Sequence, residues 1–227
     1  MQHLINKIHL EDCISGMEKI KDNSITLIIA DWPFNCQDGR NDYRRFVNKA
    51  VKQFYRVLVD GGNVASINNP KNCLKTYKYF DSCKFEFRNN LVLEKPCGLK
   101  PGYMFGFKHN YCTCFTKGSK HAVWNGHTKF NGIPAEYDVL SYRNGYRKGQ
   151  DKHSQAIPIS LAIKIITVFS NKNSIVLDPF MGSGTTAVVC RELKRKFIGF
   201  EINPEYVAMA HRRMDFCAVN SILKSLK

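Results

Sequence analysis

The chain has 227 residues, room for one full α/β domain with a real core and a small insertion, and apart from charge its composition is ordinary for a water-soluble protein. That charge is lopsided: 34 Lys and Arg oppose 19 Asp and Glu, a formal +15, which favours a polyanionic partner such as nucleic acid over lysines that serve solubility alone. The longest apolar runs, 25–30 and 161–169, are too short to span a bilayer, and residues 1–7 lack the apolar core of a signal peptide, so an intracellular, cytoplasmic protein is expected.

Glu11-Asp12-Cys13 precedes a short amphipathic run, Ile14, Met17 and Ile20, which the turn signal Lys21-Asp22-Asn23-Ser24 closes. Residues 25–30 suit a central strand that leads straight into Asp31-Trp32-Pro33-Phe34. An acidic residue at the carboxyl end of a parallel strand stands where open α/β sheets bind ligands. The competing reading is a turn-forming Asp with Trp32 and Phe34 in the core. Asn41-Asp42 can start a helix whose stripe is Phe46, Val47, Ala50, Val51, Phe54 and Leu58; Asp60-Gly61-Gly62 should end it, and a strand should resume over 63–67.

A helix is expected over 71–80, then strands over 85–94 and 111–116, joined by turns at Pro96-Cys97-Gly98 and Pro101-Gly102. Alternation would put Cys112 and Cys114 on one strand face. The nine cysteines are scattered with no C-x-x-C pair, which suits reduced packing residues and speaks against a metal site. From 117 to 151 periodicity disappears. Trp124, Phe130, Tyr137, Tyr142 and Tyr146 alternate with Lys117, Lys120, Lys129, Arg143, Arg147 and Lys148 in a glycine-containing stretch. Basic and aromatic loop sequence suits phosphate contact and base stacking, while residue by residue a solvated loop is as good a reading.

A buried helix is expected over 158–170, with Pro158 in its first turn. Ser174-Ile175-Val176-Leu177 reads as a buried parallel strand, followed by Asp178 and a Gly182-x-Gly184 turn, with a helix opening at Thr185. Strand, glycine turn and helix N-terminus make a backbone cradle for a nucleotide-like ligand. Glu201, at the end of the apolar run 197–200, falls where a doubly wound fold places a carboxylate against ribose hydroxyls. A P-loop is excluded, because Thr185-Thr186 stand where the lysine is needed. A dinucleotide fingerprint fits on spacing alone, and the plain alternative is a turn whose glycines relieve crowding. Asn203-Pro204 starts a last helix, to about Met214.

Two of these segments together carry a family resemblance. Leu177-Asp178-Pro179-Phe180-Met181-Gly182-Ser183-Gly184-Thr185-Thr186, with Glu201 downstream, resembles the cofactor motif of the amino-group (N6-adenine/N4-cytosine) DNA methyltransferases. Asp31-Trp32-Pro33-Phe34 resembles their Asp-Pro-Pro-Tyr catalytic motif, and the order, catalytic motif first, resembles the β-type permutation. Glu11-Asp12-Cys13 looks like the Gly-Asp-Cys element that holds the cofactor adenine, and 152–158 like the segment over its methionine part. Trp32 departs from the motif's first proline, and Ile157 stands where many relatives carry lysine.

The resemblance implies a doubly wound, mostly parallel α/β sheet (a Rossmann-like class I methyltransferase) as a single domain over 1–227, with 117–151 as a short target-recognition insertion. It implies S-adenosylmethionine as cofactor, held by Asp12, Cys13, Asp31, His153, Ser154, Asp178, Phe180, Gly182, Ser183, Gly184, Thr185, Glu201 and Ile202. Catalysis would fall to Asp31, Pro33 and Phe34: the carboxylate and a backbone carbonyl accept hydrogen bonds from an exocyclic amine, while the ring stacks on a base flipped from duplex DNA. Trp32, Lys117, Lys120, Lys129, Arg143, Arg147 and Lys148 would meet nucleic acid. The initial Asp points to adenine N6; cytosine N4, an RNA substrate and a non-catalytic nucleic-acid-binding subunit are the alternatives. No metal is required, a homodimer fits the resemblance, and nothing in the chain indicates a restriction partner.

Overall fold

The computed structural model describes residues 1–33, 41–99, 106–118, 137–141 and 157–216. Within them β-branched runs become strands and striped runs become helices, in the order β1 (Lys7–Leu10), α1 (Cys13–Glu18), β2 (Ile25–Asp31), α2 (Asn41–Val57), β3 (Leu58–Asn68), α3 (Pro70–Ser82), β4 (Phe85–Leu99), β5 (Phe107–Lys117), β6 (Val139–Ser141), α4 (Ile159–Phe169), β7 (Ile175–Asp178), α5 (Thr185–Glu192), β8 (Lys196–Glu201) and α6 (Pro204–Phe216). The eight strands form one sheet in the order β1-β8-β7-β2-β3-β5-β4-β6. Strands β1, β8, β7, β2 and β3 run parallel, and β5 is antiparallel to both β3 and β4. This is the expected doubly wound, mostly parallel sheet, and among the described residues no helix is long and apolar enough to cross a membrane.

Strand alternation divides the core in two. Ile28, Ala30 and Trp32 of β2 and its extension join the cluster formed with α1, α2 and α3, whereas Leu27 and Ile29 join the one formed with α4, α5 and α6. Because both faces of β2 are covered, its residues are apolar almost without interruption, and each fully buried Ile or Leu contributes roughly 2 kcal/mol. Asp31 is the first charged residue of the strand, and it appears only where the strand reaches the sheet's rim.

Four local expectations need correction. No strand was expected at residues 7–10, yet β1 pairs with β8 at the sheet edge, Lys7 opposite Ile198 through Leu10 opposite Glu201. Its sequence, Lys-Ile-His-Leu, is too short and polar to announce a strand without its partner. The helix stripe was drawn through Leu58, but α2 ends at Val57 and Leu58 opens β3. Asp60-Gly61-Gly62 lies inside β3 as an irregularity: β2 steps from Ile25 to Leu27 while β3 steps from Leu58 to Asn63, and Gly61 takes φ 75°. Finally, β4 runs through Pro96-Cys97-Gly98, where a turn was expected; the turn signal survives as a break in register with β5, between Glu94 opposite His109 and Leu99 opposite Phe107.

Candidate active site

The parallel strands β8, β7, β2 and β3 all end at one rim, and the sequence-predicted acidic residues collect there. Ile28 pairs with Leu177, so Asp31 lies three residues beyond that register on β2, and Asp178 one residue beyond it on the adjacent β7. Asp178 lies opposite Gly199, which puts Glu201 two residues further along β8. Leu10 of β1 lies opposite Glu201, and the Glu11 N–H donates to the Glu201 carbonyl at 3.0 Å, so Asp12 follows on the same rim.

The glycine turn is built from carboxylates and held from behind. Asp178 accepts the Phe180 N–H at 3.0 Å on one oxygen and the Thr186 hydroxyl at 2.6 Å on the other. Glu201 accepts the Gly182 N–H at 2.8 Å and the Asn203 N–H at 2.9 Å. Gly182 and Gly184 adopt φ 52° and 82°, left-handed geometry that favours glycine. A Cβ on Gly184 would also lie 2.6 Å from the Ala210 Cβ of α6. These glycines therefore serve backbone approach and not mere loop freedom. Ile202, 72% exposed, stands beside Glu201 with its side chain in the open.

Burial sets the charges. The Asp178 carboxyl is pushed up to about 7, chiefly by desolvation and also by Glu201, against its two hydrogen bonds. Asp31 is pushed up to about 8, by desolvation first and then by Asp178, while the Lys95 ammonium pulls it down. An ionised Asp178 opposes the charge on Asp31. Two carboxyls poised near neutrality on adjacent strands form a site whose negative charge would be stabilised by an arriving cation.

Several expected contacts fall out differently. Trp32, expected to meet nucleic acid, is 1% exposed and packs on Phe46, Phe54 and Phe180, so it is a core residue. Lys117, expected to meet nucleic acid as well, stands at the opposite end of the sheet. Its neighbour Thr116 lies opposite Asn63 near the start of β3, and its ammonium binds Asn23 Oδ1 at 2.6 Å and the Leu58 carbonyl at 2.7 Å. The Ser183 and Thr185 hydroxyls and the Ser183 carbonyl accept from Arg213 of α6, so what these two residues turn toward a ligand is chiefly backbone. Asp12 Oδ1 caps α1 through the Ile14 and Ser15 N–H groups, and Cys13 is buried.

Ile157, where lysine is common, packs against the core. Pro33 is half-buried beside Trp32. Phe34, Lys120, Lys129, Arg143, Arg147, Lys148, His153 and Ser154 lie outside the described residues. Lys95 and Arg213 escaped sequence reasoning, since each sits on a different element from the group it serves; Thr186 was read as part of the glycine-turn motif but not as a partner of Asp178.

Comparison with known proteins bears on this arrangement. The family model N6_N4_Mtase, described as DNA methylase, matches residues 25–212. The type II methyltransferase M1.MboII of Moraxella bovis is 29% identical over 264 residues, which cover 95% of this chain and 99% of the relative. Among solved structures, the cytosine-N4-specific PvuII DNA methyltransferase superposes with a TM-score of 0.77 at 20% identity, covering 96% of this chain and 90% of the other. A protein of Thermus thermophilus described as a DNA modification methylase, solved with S-adenosylmethionine, gives 0.73 at 18% identity, covering 92% of each chain.

Proposed function

The chain belongs to the N6/N4 DNA methylase family, and we propose that it transfers a methyl group from S-adenosylmethionine to the N6 amine of adenine in duplex DNA. The observation that carries this reading is Asp31, a half-buried carboxyl at the end of β2, one strand away from the Asp178–Gly184 turn. The turn fits the cofactor: two left-handed glycines, a Glu201 carboxylate within hydrogen-bonding distance of the Gly182 amide, and the exposed Ile202 side chain beside it. When bound, S-adenosylmethionine supplies an activated methyl group on a sulfonium, a cation suited to two carboxyls held near neutrality.

Asp31 does the work at the amine. Its carboxylate and the Pro33 carbonyl accept the two N–H groups of an exocyclic amine, which draws the lone pair out of the ring and aims it at the methyl donor. Ionisation of Asp31 matters, since a protonated carboxyl would offer a donor where an acceptor is needed. In this reading Phe34 stacks on the flipped base, and the basic residues Lys120, Lys129, Arg143, Arg147 and Lys148 hold the duplex. The initial Asp of the tetrapeptide supports adenine over cytosine.

The test is nucleoside analysis of unmethylated DNA treated with the protein and labelled cofactor. N6-methyladenine is expected from the wild type and none from Asp31→Ala, with cofactor binding retained. N4-methylcytosine would move the assignment to that base. Label appearing only in RNA would move it to an RNA substrate, and full turnover by Asp31→Ala would refute the mechanism.

A further inference from the structure

A buried indole needs an acceptor for its N–H. Trp32 has one, because its Nε1–H donates to Ser66 Oγ of β3 at 2.9 Å. The hydroxyl is the first member of a chain. Asn68 Nδ2 donates to Ser66 Oγ at 3.1 Å, and the Thr76 hydroxyl of α3 lies 3.3 Å from Asn68 Oδ1 and 3.0 Å from the Asn72 carbonyl, donating to both. Ser66, Asn68 and Thr76 are all buried. Ser66 Oγ therefore accepts from both the Trp32 indole and the Asn68 amide, and Asn68 is held in turn by Thr76.

The other side of the indole meets the cofactor turn. Its centroid lies 5.3 Å from that of Phe180, and Phe46 of α2 closes a triangle with both rings at 6.3 and 6.0 Å. Phe180 is tied by its own N–H to Asp178. One side chain, adjacent in sequence to Asp31, thus bridges a rigid polar chain on β3 and α3 to the turn that the family uses for its cofactor. A proline at 32 would have no N–H for Ser66 and no ring to reach Phe180, so the tryptophan and the buried polar chain have a joint purpose.

We propose that Trp32, anchored by Ser66, is a positioning residue for methyl transfer. It sets the separation between the acceptors at Asp31 and Pro33 and the glycine turn. The proposal rests on the functional reading above, and an aligned transfer is sensitive to displacements of about 1 Å or less.

The experiment compares Ser66→Ala, Trp32→Phe and the double variant. It measures single-turnover transfer to DNA at saturating cofactor, cofactor affinity by calorimetry, and indole N–H resonances by NMR. The chain has two tryptophans, so loss of one resonance in Trp32→Phe assigns Trp32. In Ser66→Ala the Trp32 resonance should move upfield and transfer slow about tenfold, with cofactor Kd changed less than about threefold, and the double variant should be no slower than Trp32→Phe. An unmoved resonance, an unchanged rate, multiplying losses, or a rate loss that merely follows weaker cofactor binding would each overturn the proposal. Should Ser66→Ala fail to fold, Thr76→Val unties only the far end of the chain, and an unchanged rate in that folded variant has the same force. If the wild type transfers no methyl group at all, the functional reading fails, while the resonance still reports whether Ser66 holds the ring.

Discussion

Replacing Asp31 by asparagine should abolish methyl transfer and at the same time stabilise the fold. The native carboxyl titrates at about 8 against 3.8 for the ordinary side chain, with desolvation the main cause and Asp178 the second. An acid whose folded pKa is raised keeps a proton in the native state that the unfolded chain has already released. Between pH 4 and 8, therefore, each rise in pH favours unfolding, and above pH 8 the penalty is complete. A shift of about four units at about 1.4 kcal/mol each sets a ceiling of about 6 kcal/mol. Asp31 keeps some solvent contact, and screening reduces the expected gain in Asp31→Asn to about 2–3 kcal/mol at about pH 9. Urea unfolding of wild type and variant at about pH 5, 7 and 9 measures it. The gap should widen from about pH 5 to pH 8 and then level off, while transfer falls by at least about a hundredfold throughout. A gap that is flat with pH, or a variant less stable than wild type in alkali, would refute the reasoning.

Three further outcomes follow from the geometry. Thr186→Val removes a hydrogen bond that holds the Asp178 carboxyl down, so its pKa should rise further. Cofactor affinity at about pH 7 should fall about fivefold and recover by about pH 9 in calorimetric titrations, whereas a loss independent of pH would contradict the assignment. Gly184→Ala meets both a φ of 82° and Ala210, so thermal stability should drop by about 2 kcal/mol or more. Adding Ala210→Gly should restore part of it, the steric share alone. Lys117→Ala should cost about 1–2 kcal/mol of stability by stripping partners from Asn23 and the Leu58 carbonyl. DNA affinity and its salt slope should be unchanged, because that lysine stands away from the rim; a weaker affinity in a gel-shift titration would show that the duplex reaches the opposite end of the sheet.

Where an element declares itself by an unbroken pattern, its residues alone were enough. β2, β7 and α4 were legible because each is largely covered, so a run of β-branched or striped residues admits one reading, whereas the glycine turn needed Asp178 and Glu201 on either side of it to stand out from an ordinary turn. Edges were not. β1 gains its identity from β8 alone, far along the chain, and the Pro96-Cys97-Gly98 turn signal becomes an irregularity inside the β4–β5 ladder. The site divides the same way. Asp31, Asp178, Gly182, Gly184 and Glu201 are spaced relative to strand ends, and spacing can be read along a chain. Lys95, Arg213 and Ser66 act across strands or from another helix, where no local pattern points to them.

Trp32 shows why that division has a physical basis. In one dimension it is an odd residue in a motif, and a large aromatic beside an Asp at a strand end invites the reading of a stacking platform. Alternation along β2 decides otherwise: with Asp31 in register with Leu27 and Ile29, on the α4 and α5 side, residue 32 must enter the opposite core, among Phe46, Phe54 and Phe180. Once the indole is buried, its N–H has to be paired, and that demand falls on the same face of the neighbouring strand β3, where Ser66 lies opposite Ala30. Ser66 meets it, although the two are 34 positions apart. Adjacent residues of a central strand thus serve opposite faces of one sheet. A charge facing the ligand and a ring locked into the core can occupy successive positions, with the ring's anchor holding the charge's backbone in place.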